Sequence, residues 1–281
     1  MKAAAIAKRS REVVLEQWRE LLRLRREVLK SSDIEAIHDL RVSSRRFRAA
    51  LGLFEPWLPP KNAALLKKSI RKVTGALGGL RNIDEALLFF RLHTPAESAG
   101  GYQLRYLLTQ MRSGELARIE KALKDLDHHR LNRMARKTAH GLEENQIAES
   151  GKSSLTTCFS DTCSKLYQPI QELLPVATSR EQRESRHALR IAIKKWRYFF
   201  EIMQPVLKRD YSSILGVIKE YQTILGCMND VAEFGALCSG LTLSRREQTF
   251  IETTLRAEDE LLLLKLTELI AQKPLTYTFP L

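Results

Sequence analysis

The feature that most restricts how this chain can fold is an internal duplication. The run His38-Asp39-Leu40-Arg41-Val42-Ser43-Ser44-Arg45-Arg46-Phe47-Arg48 reappears 149 positions later as His187-Ala188-Leu189-Arg190-Ile191-Ala192-Ile193-Lys194-Lys195-Trp196-Arg197. Downstream, Leu77-Gly78-Gly79-Leu80-Arg81-Asn82-Ile83 aligns with Leu225-Gly226-Cys227-Met228-Asn229-Asp230-Val231 at an offset of 148, and Arg71 falls opposite Lys219 on the way. Two ordered blocks at nearly one offset are not a chance match. The period is too long for a solenoid repeat and predicts two related helical bundles. Their join is expected in the polar stretch 143–154, which divides the chain into 1–148 and 149–281.

Apolar residues recur at three and four spacings almost throughout, and no segment sustains the alternation of a strand, so the chain reads as all-α with about ten helices. Breaks are expected at Pro56 with Pro59 and Pro60, at Gly78-Gly79, at Gly100-Gly101, at 175–179, at Pro205 and at Gly226. Ser32 with Glu35, and Ser179 with Gln182, have capping-box spacing ahead of the two duplicated basic helices. The glycine blocks, each followed by Asn82 or by Asn229 and Asp230, read as a helix stop and the capped start of the next helix.

On a helical wheel at about 100° per residue, Arg41, Arg45 and Arg48 fall on the side of His38, while Leu40, Phe47, Leu51 and Phe54 cluster opposite. The second copy repeats this, with His187, Arg190, Lys194 and Arg197 against Leu189, Trp196, Phe200 and Met203. Arg46 and Lys195 stand at the flank, where long side chains can curl toward a bound anion. A merely solvated face would intersperse acids for pairing one turn away. Here like charges follow one another and only Glu201 interrupts the second face, an arrangement that repels unless an anion lies between the charges.

Composition agrees: 46 Lys plus Arg against 33 Asp plus Glu leave a formal charge of +13. Such an excess points to nucleic acid, an anionic membrane surface or another phosphate polymer as partner. Arginine suits phosphate because its planar fork bonds two oxygens at once, and lysine adds a mobile point charge. Protonated His38 and His187 would strengthen binding, so affinity is expected to fall from about pH 6 to pH 8. The aromatics Trp18, Tyr102, Tyr106, Tyr167 and Tyr198 are spaced as core residues. A surface short of stacking rings favours bare phosphate over bases.

Several chemistries are excluded. Cys158, Cys163, Cys227 and Cys238 form no CxxC pair and read as small apolar core residues, so no metal is expected. His38-Asp39 resembles the metal-binding pair of phosphohydrolases, but Ala188 replaces the acid in the second copy and no further ligand set accompanies either. His128, His129 and His140 lie among basic residues without carboxylates arranged as ligands. No P-loop, dinucleotide fingerprint, nucleophile elbow or paired-carboxylate site occurs, so neither catalysis nor a cofactor is expected. With no signal peptide and no long apolar run, the expectation is a soluble cytoplasmic protein away from the membrane.

The His-x-Leu-Arg-Val/Ile-x2-Arg/Lys-Arg/Lys-aromatic-Arg block, followed about 40 residues later by the Leu-Gly block and occurring twice, resembles the CHAD domain, the histidine-containing α-helical domain, over nearly the whole chain. The resemblance implies two pseudo-twofold-related bundles with a basic groove or pore between them. It also implies binding of inorganic polyphosphate and association with polyphosphate granules. Its phosphate-binding positions correspond to His38, Arg41, Arg45, Arg46, Arg48, His187, Arg190, Lys194, Lys195 and Arg197, with Arg71 and Lys219 following. One departure is Asn82, where Asp is commoner in the family. Nothing resembles the hydrolase barrel to which such domains are often fused, so a stand-alone binding module is expected, with a nucleic-acid or ribosome-associated binder as the alternative.

Overall fold

The computed structural model describes residues 3–31, 33–93, 101–149 and 155–276. Among them are nine α-helices and no strand: α1 (Ala3–Ser31), α2 (Ile34–Leu53), α3 (Pro60–His93), α4 (Tyr102–Lys124), α5 (His128–Glu149), α6 (Leu155–Leu173), α7 (Arg183–Leu207), α8 (Ser212–Ser239) and α9 (Arg245–Gln272), with one 3-10 turn at Glu55–Trp57. In the first half α1 packs on α2 and α5, and α3 on α2 and α4; in the second, α7 packs on α6 and α8, and α8 on α9. The halves meet where α7 lies against α1 and α2 and where α3 lies against α8.

The apolar core is continuous across that meeting. Within the first half Trp18 of α1 sits 5.3 Å from Phe47 of α2. Phe159 of α6 receives the edges of Phe54 and Trp57 at 6.4 and 5.8 Å, and Phe234 of α8 packs on Phe89 and Phe90 of α3 at 5.3 and 6.2 Å. Each buried ring of this kind contributes on the order of 2 kcal/mol, so these contacts hold the halves together more strongly than surface charge can.

Several local expectations need correction. The glycine blocks do not end helices: α3 runs through Gly78-Gly79 and α8 through Gly226 without interruption. Leu77, Leu80 and Ile83 are buried on either side of the pair, and their packing outweighs the roughly 1 kcal/mol penalty of a helical glycine. At Gly79 a side chain of α4 leaves little room, since a β-carbon there would stand 2.6 Å from a Glu115 carboxylate oxygen. At the start of α2 the cap is Asp33, whose carboxylate accepts from the Ala36 N–H at 3.1 Å, while Ser32 lies outside the described residues. Gln182 precedes α7 without a side-chain cap, and the capping box is found instead at Ser244 and Glu247 of α9. Helix α5 continues through Glu149, so the first part of the expected join at 143–154 is helical, and the rest, like Gly100, is not among the described residues.

Pro56 stands just past α2, but Pro205 lies within the last turn of α7, which ends two residues later at Leu207 and is followed by Lys208 in the left-handed conformation at φ 51°. Tyr102 and Tyr106 are exposed on α4 rather than in the core, and Cys227 is exposed while Cys163 and Cys238 are buried.

Two glycines in helix interiors have opposite surroundings. A β-carbon at Gly78 meets nothing within 4 Å, whereas at Gly141 it falls 2.5 Å from Cγ of the rigid Pro59 ring. Gly78→Ala is therefore expected to stabilise the protein by about 0.5–1 kcal/mol. Gly141→Ala should destabilise it by roughly 1–3 kcal/mol through overpacking, both read as shifts of a denaturant midpoint at constant slope.

Candidate functional site

Helices α2 and α7 bury the stripes that their periodicity marks as apolar. Leu40, Phe47 and Leu51, and Leu189, Trp196, Phe200 and Met203, have no accessible surface. Fixing those stripes in the core turns the opposite faces out of it, and since α2 lies against α7 the two cationic faces converge. Between them is a cavity of about 870 Å³ into which Arg45 and Arg48 project from α2, and Arg190, Lys194 and Lys195 from α7. Its remaining wall is apolar, made by Leu53, Leu166, Ile191, Tyr198, Phe199 and Ile202. The acid on its rim, Glu55, is held by Lys67 at 2.6 Å.

Crowding of cations shows in their ionisation. Burial, reinforced by Arg45, Arg190, Arg41 and Arg197, pushes the Lys194 amine down to about 6. Arg41 is lowered to about 10 by burial and by Arg45 and Arg81. Burial also lowers Arg48, with Arg71 of α3 and Arg45 adding repulsion. At Arg190 burial again dominates, with Asp230 opposing it. Desolvation and like charge act in the same direction at Lys194, and the opposite charge of an entering anion would offset them.

The cluster is held in place by residues that helical periodicity does not mark. Arg81 of α3 forms a two-pronged bond with Asp230 of α8, each N–O distance 2.9 Å, across the two halves. Burial lowers the Arg81 guanidinium pKa, but the Asp230 carboxylate more than compensates and leaves it raised. Asn82 donates to Glu233 at 3.2 Å beside it. Asn229 Oδ1 faces both His187 Nδ1 at 3.0 Å and Arg190 Nη1 at 3.1 Å, which puts a proton on His187 Nδ1 and steadies Arg190 at the cavity mouth. On the other flank Glu201 lies between Arg46 of α2 at 3.4 Å and Arg197 of α7 at 3.2 Å. Arg197 also donates to Gln222 at 2.5 Å and lies 5.1 Å from the Tyr198 ring centre.

The structure therefore brings together Arg41, Arg45, Arg48, Arg190, Lys194 and Lys195, and sets the other expected residues around them. Arg46 and Arg197 are engaged by Glu201. Arg71 adjoins Arg48, and Lys219 is exposed on α8 outside the cavity lining. His38 lines a separate cleft of α2 and α3 with Arg41, Arg81 and the acids Asp33, Glu35, Asp84 and Glu85. His187 lines another with Arg183, Asn229 and Glu233. Both histidines thus stand beyond the cavity, joined to it through Arg41 and through Arg190. The signal that could have revealed Arg81 and Asp230 was already in the second duplicated block, at positions where the two copies differ.

Among the described residues no cluster of three or more His, Cys, Asp or Glu side chains is placed to hold a metal ion. No described helix is long and apolar enough to cross a membrane.

Long helices with converging cationic faces define an all-α bundle domain with a cation-lined cavity. The chain belongs to the CHAD domain family, whose model matches residues 12–239. Its fold is similar to the crystal structure of the CHAD domain from the plant Ricinus communis, with a TM-score of 0.72 at 21% identity over 97% of this chain and 93% of that one. It is also similar to PptA from Streptomyces chartreusis, with a TM-score of 0.64 at 16% identity over 95% and 99%. At these identities the likeness is one of fold. No curated protein matches the sequence at a significant level.

Lys194 provides a test of the electrostatics. Its folded-state pKa of about 6 lies below the ordinary 10.5, so between those values the unfolded chain binds the extra proton and stability rises with pH. Lys194→Met should raise the Tm of the unliganded protein, by roughly 2–4 °C per kcal/mol of repulsion removed. The gain should be greatest at and below about pH 6 and shrink toward pH 10.5, in melts taken across that range.

Proposed function

We propose that this protein is a non-catalytic binder of inorganic polyphosphate, held along the cationic surface where α2 and α7 meet. The observation that carries the reading is the convergence of Arg41, Arg45, Arg48, Arg190 and Lys194 from two duplicated helices, where burial and then the neighbouring cations lower the pKa of Arg41, Arg48, Arg190 and Lys194. Unliganded, that arrangement is unfavourable; a polymer bearing one negative charge per unit relieves it at several points at once, and many individually weak contacts sum to useful affinity. Arg81 and Asp230 position the two faces, and Asn229 steadies Arg190. The reading extends to the cell, where such a module would sit in the cytoplasm and target or organise polyphosphate granules.

The test is a calorimetric titration of long-chain polyphosphate at about 150 mM salt, where exposed charges more than about 8 Å apart are largely screened. The expected outcome is binding that resists an RNA competitor. It should be lost in a folded variant with Arg41, Arg45, Arg190 and Lys194 changed to alanine. Displacement by RNA of equal charge would favour a nucleic-acid binder instead, and a variant that binds as well as the parent would remove the site from consideration.

Protonation gives a second test. A bound polyanion raises the pKa of Lys194, so binding takes up a proton and affinity falls as pH rises above about 6. Titrations in two buffers of different ionisation enthalpy should report uptake approaching one proton per site near neutral pH. Lys194→Met should abolish most of it, leaving any contribution of His38 and His187.

A further inference from the structure

Lys194 lines the same cavity as the guanidiniums of Arg45 and Arg190 and the apolar side chains of Leu53, Ile191, Phe199 and Ile202, so one enclosed space holds both kinds of surface. Among the described residues Lys194 makes no hydrogen bond or ion pair, and the charged groups that act on its amine are Arg45, Arg190, Arg41 and Arg197, all cations. A bare phosphate polymer makes use of the arginines but has nothing to place on the wall. The cavity, at about 870 Å³, has the volume of a small-molecule site.

We propose that Lys194 is an acyl-accepting amine and that this cavity admits small acyl phosphates, the phosphate docking on Arg45 and Arg190 and the acyl group lying against Leu53 and Ile202. The proposal rests on the same cation cluster serving as a phosphate site. Lys194 Nζ, largely uncharged at neutral pH, attacks the acyl carbon. The new C–N bond forms as the C–O bond to phosphorus breaks, inorganic phosphate leaves between the two guanidiniums, and the amine proton passes through solvent to that phosphate. No oxidant, reductant or further reactant is required. Arginines poised on the leaving group stabilise the charge that develops there. The product is an amide that can no longer take up the proton accompanying polyanion binding, and its acyl group remains inside the cavity. Acylation at this one residue would therefore switch the polyanion site off.

The experiment uses the intact protein with acetyl phosphate at neutral pH, and mass spectrometry follows the acetyl occupancy of each lysine over time. Lys208 and Lys219, both exposed and outside the cavity lining, serve as internal standards. Lys194 is expected to react roughly tenfold or more faster than either, with saturation in acetyl phosphate and slowing by inorganic phosphate, as expected of a desolvated lysine beside other cations. Equal rates at the three lysines would overturn the proposal. So would a preference for Lys194 seen with acetic anhydride but not with acetyl phosphate, because phosphate docking would then play no part. Long-chain polyphosphate added in parallel separates this idea from the functional reading. Selective acetylation that polyphosphate neither slows nor accompanies with binding upholds the acyl site and removes the polyphosphate site. Tight polyphosphate binding with an unreactive Lys194 does the reverse.

Discussion

Two helix faces rich in arginine and lysine repel each other, and everything about this molecule depends on their being held together regardless. At a separation of about 4 Å a pair of like charges in a partly dry site loses several kcal/mol. The force that offsets this is not mainly ionic. It comes from rings buried on the far sides of the same helices and from Phe159 and Phe234, which pass the core from one half into the other. The carboxylates have a narrower task. Asp230 and Glu201 stand at two edges of the cluster, where they set its geometry without filling its centre.

That division of labour explains why the centre stays cationic. An acid on α7 one turn nearer its start than Glu201 would lie within a turn of Lys194 and neutralise the cluster from within. Instead Lys194 and Arg48, whose ionised forms are disfavoured by burial and by neighbouring cations, line the cavity with Arg41 close by, while the arginines nearest the acids serve as struts. A lysine whose pKa burial and neighbouring cations hold this low sheds its proton near neutral pH and so avoids part of the repulsion.

Much of this was legible in the sequence because it follows from a period. The burial of Leu40, Phe47, Trp196 and Met203, and hence the direction in which Arg45 and Lys194 point, needs only the 3.6-residue repeat. What failed were signals that assume the chain responds to its nearest neighbours. Gly78-Gly79 and Gly226 resemble helix stops, yet the packing around Leu77 and Leu225 carries both helices through. Ser179 and Gln182 have the spacing of a capping box but no side-chain cap forms there, since the chain before α7 is occupied in turns that Arg186 ties through the Ser179 and Arg180 carbonyls. The roles of Arg81 and Asp230 were harder to read: the duplicated block marks the two positions, but their bond depends on what the other half presents, and a single helix carries no record of its partner. The histidines illustrate the same limit, sharing a face with the arginines yet opening onto clefts of their own.

The bond between Arg81 and Asp230 is one-sided with respect to the duplication. In the aligned blocks Arg81 corresponds to Asn229 and Asn82 to Asp230, so the reciprocal positions hold two amides and no charge. A second copy of the first half standing where the second half stands would meet Arg81 with Asn82, and the converse substitution would leave Asp230 facing Asn229. Either arrangement strands a half-buried charge, a penalty of several kcal/mol. The halves have thus ceased to be interchangeable: each carries the complement that the other lacks, and the chain has exchanged the freedom of a symmetric pair for a fixed marriage of unlike partners.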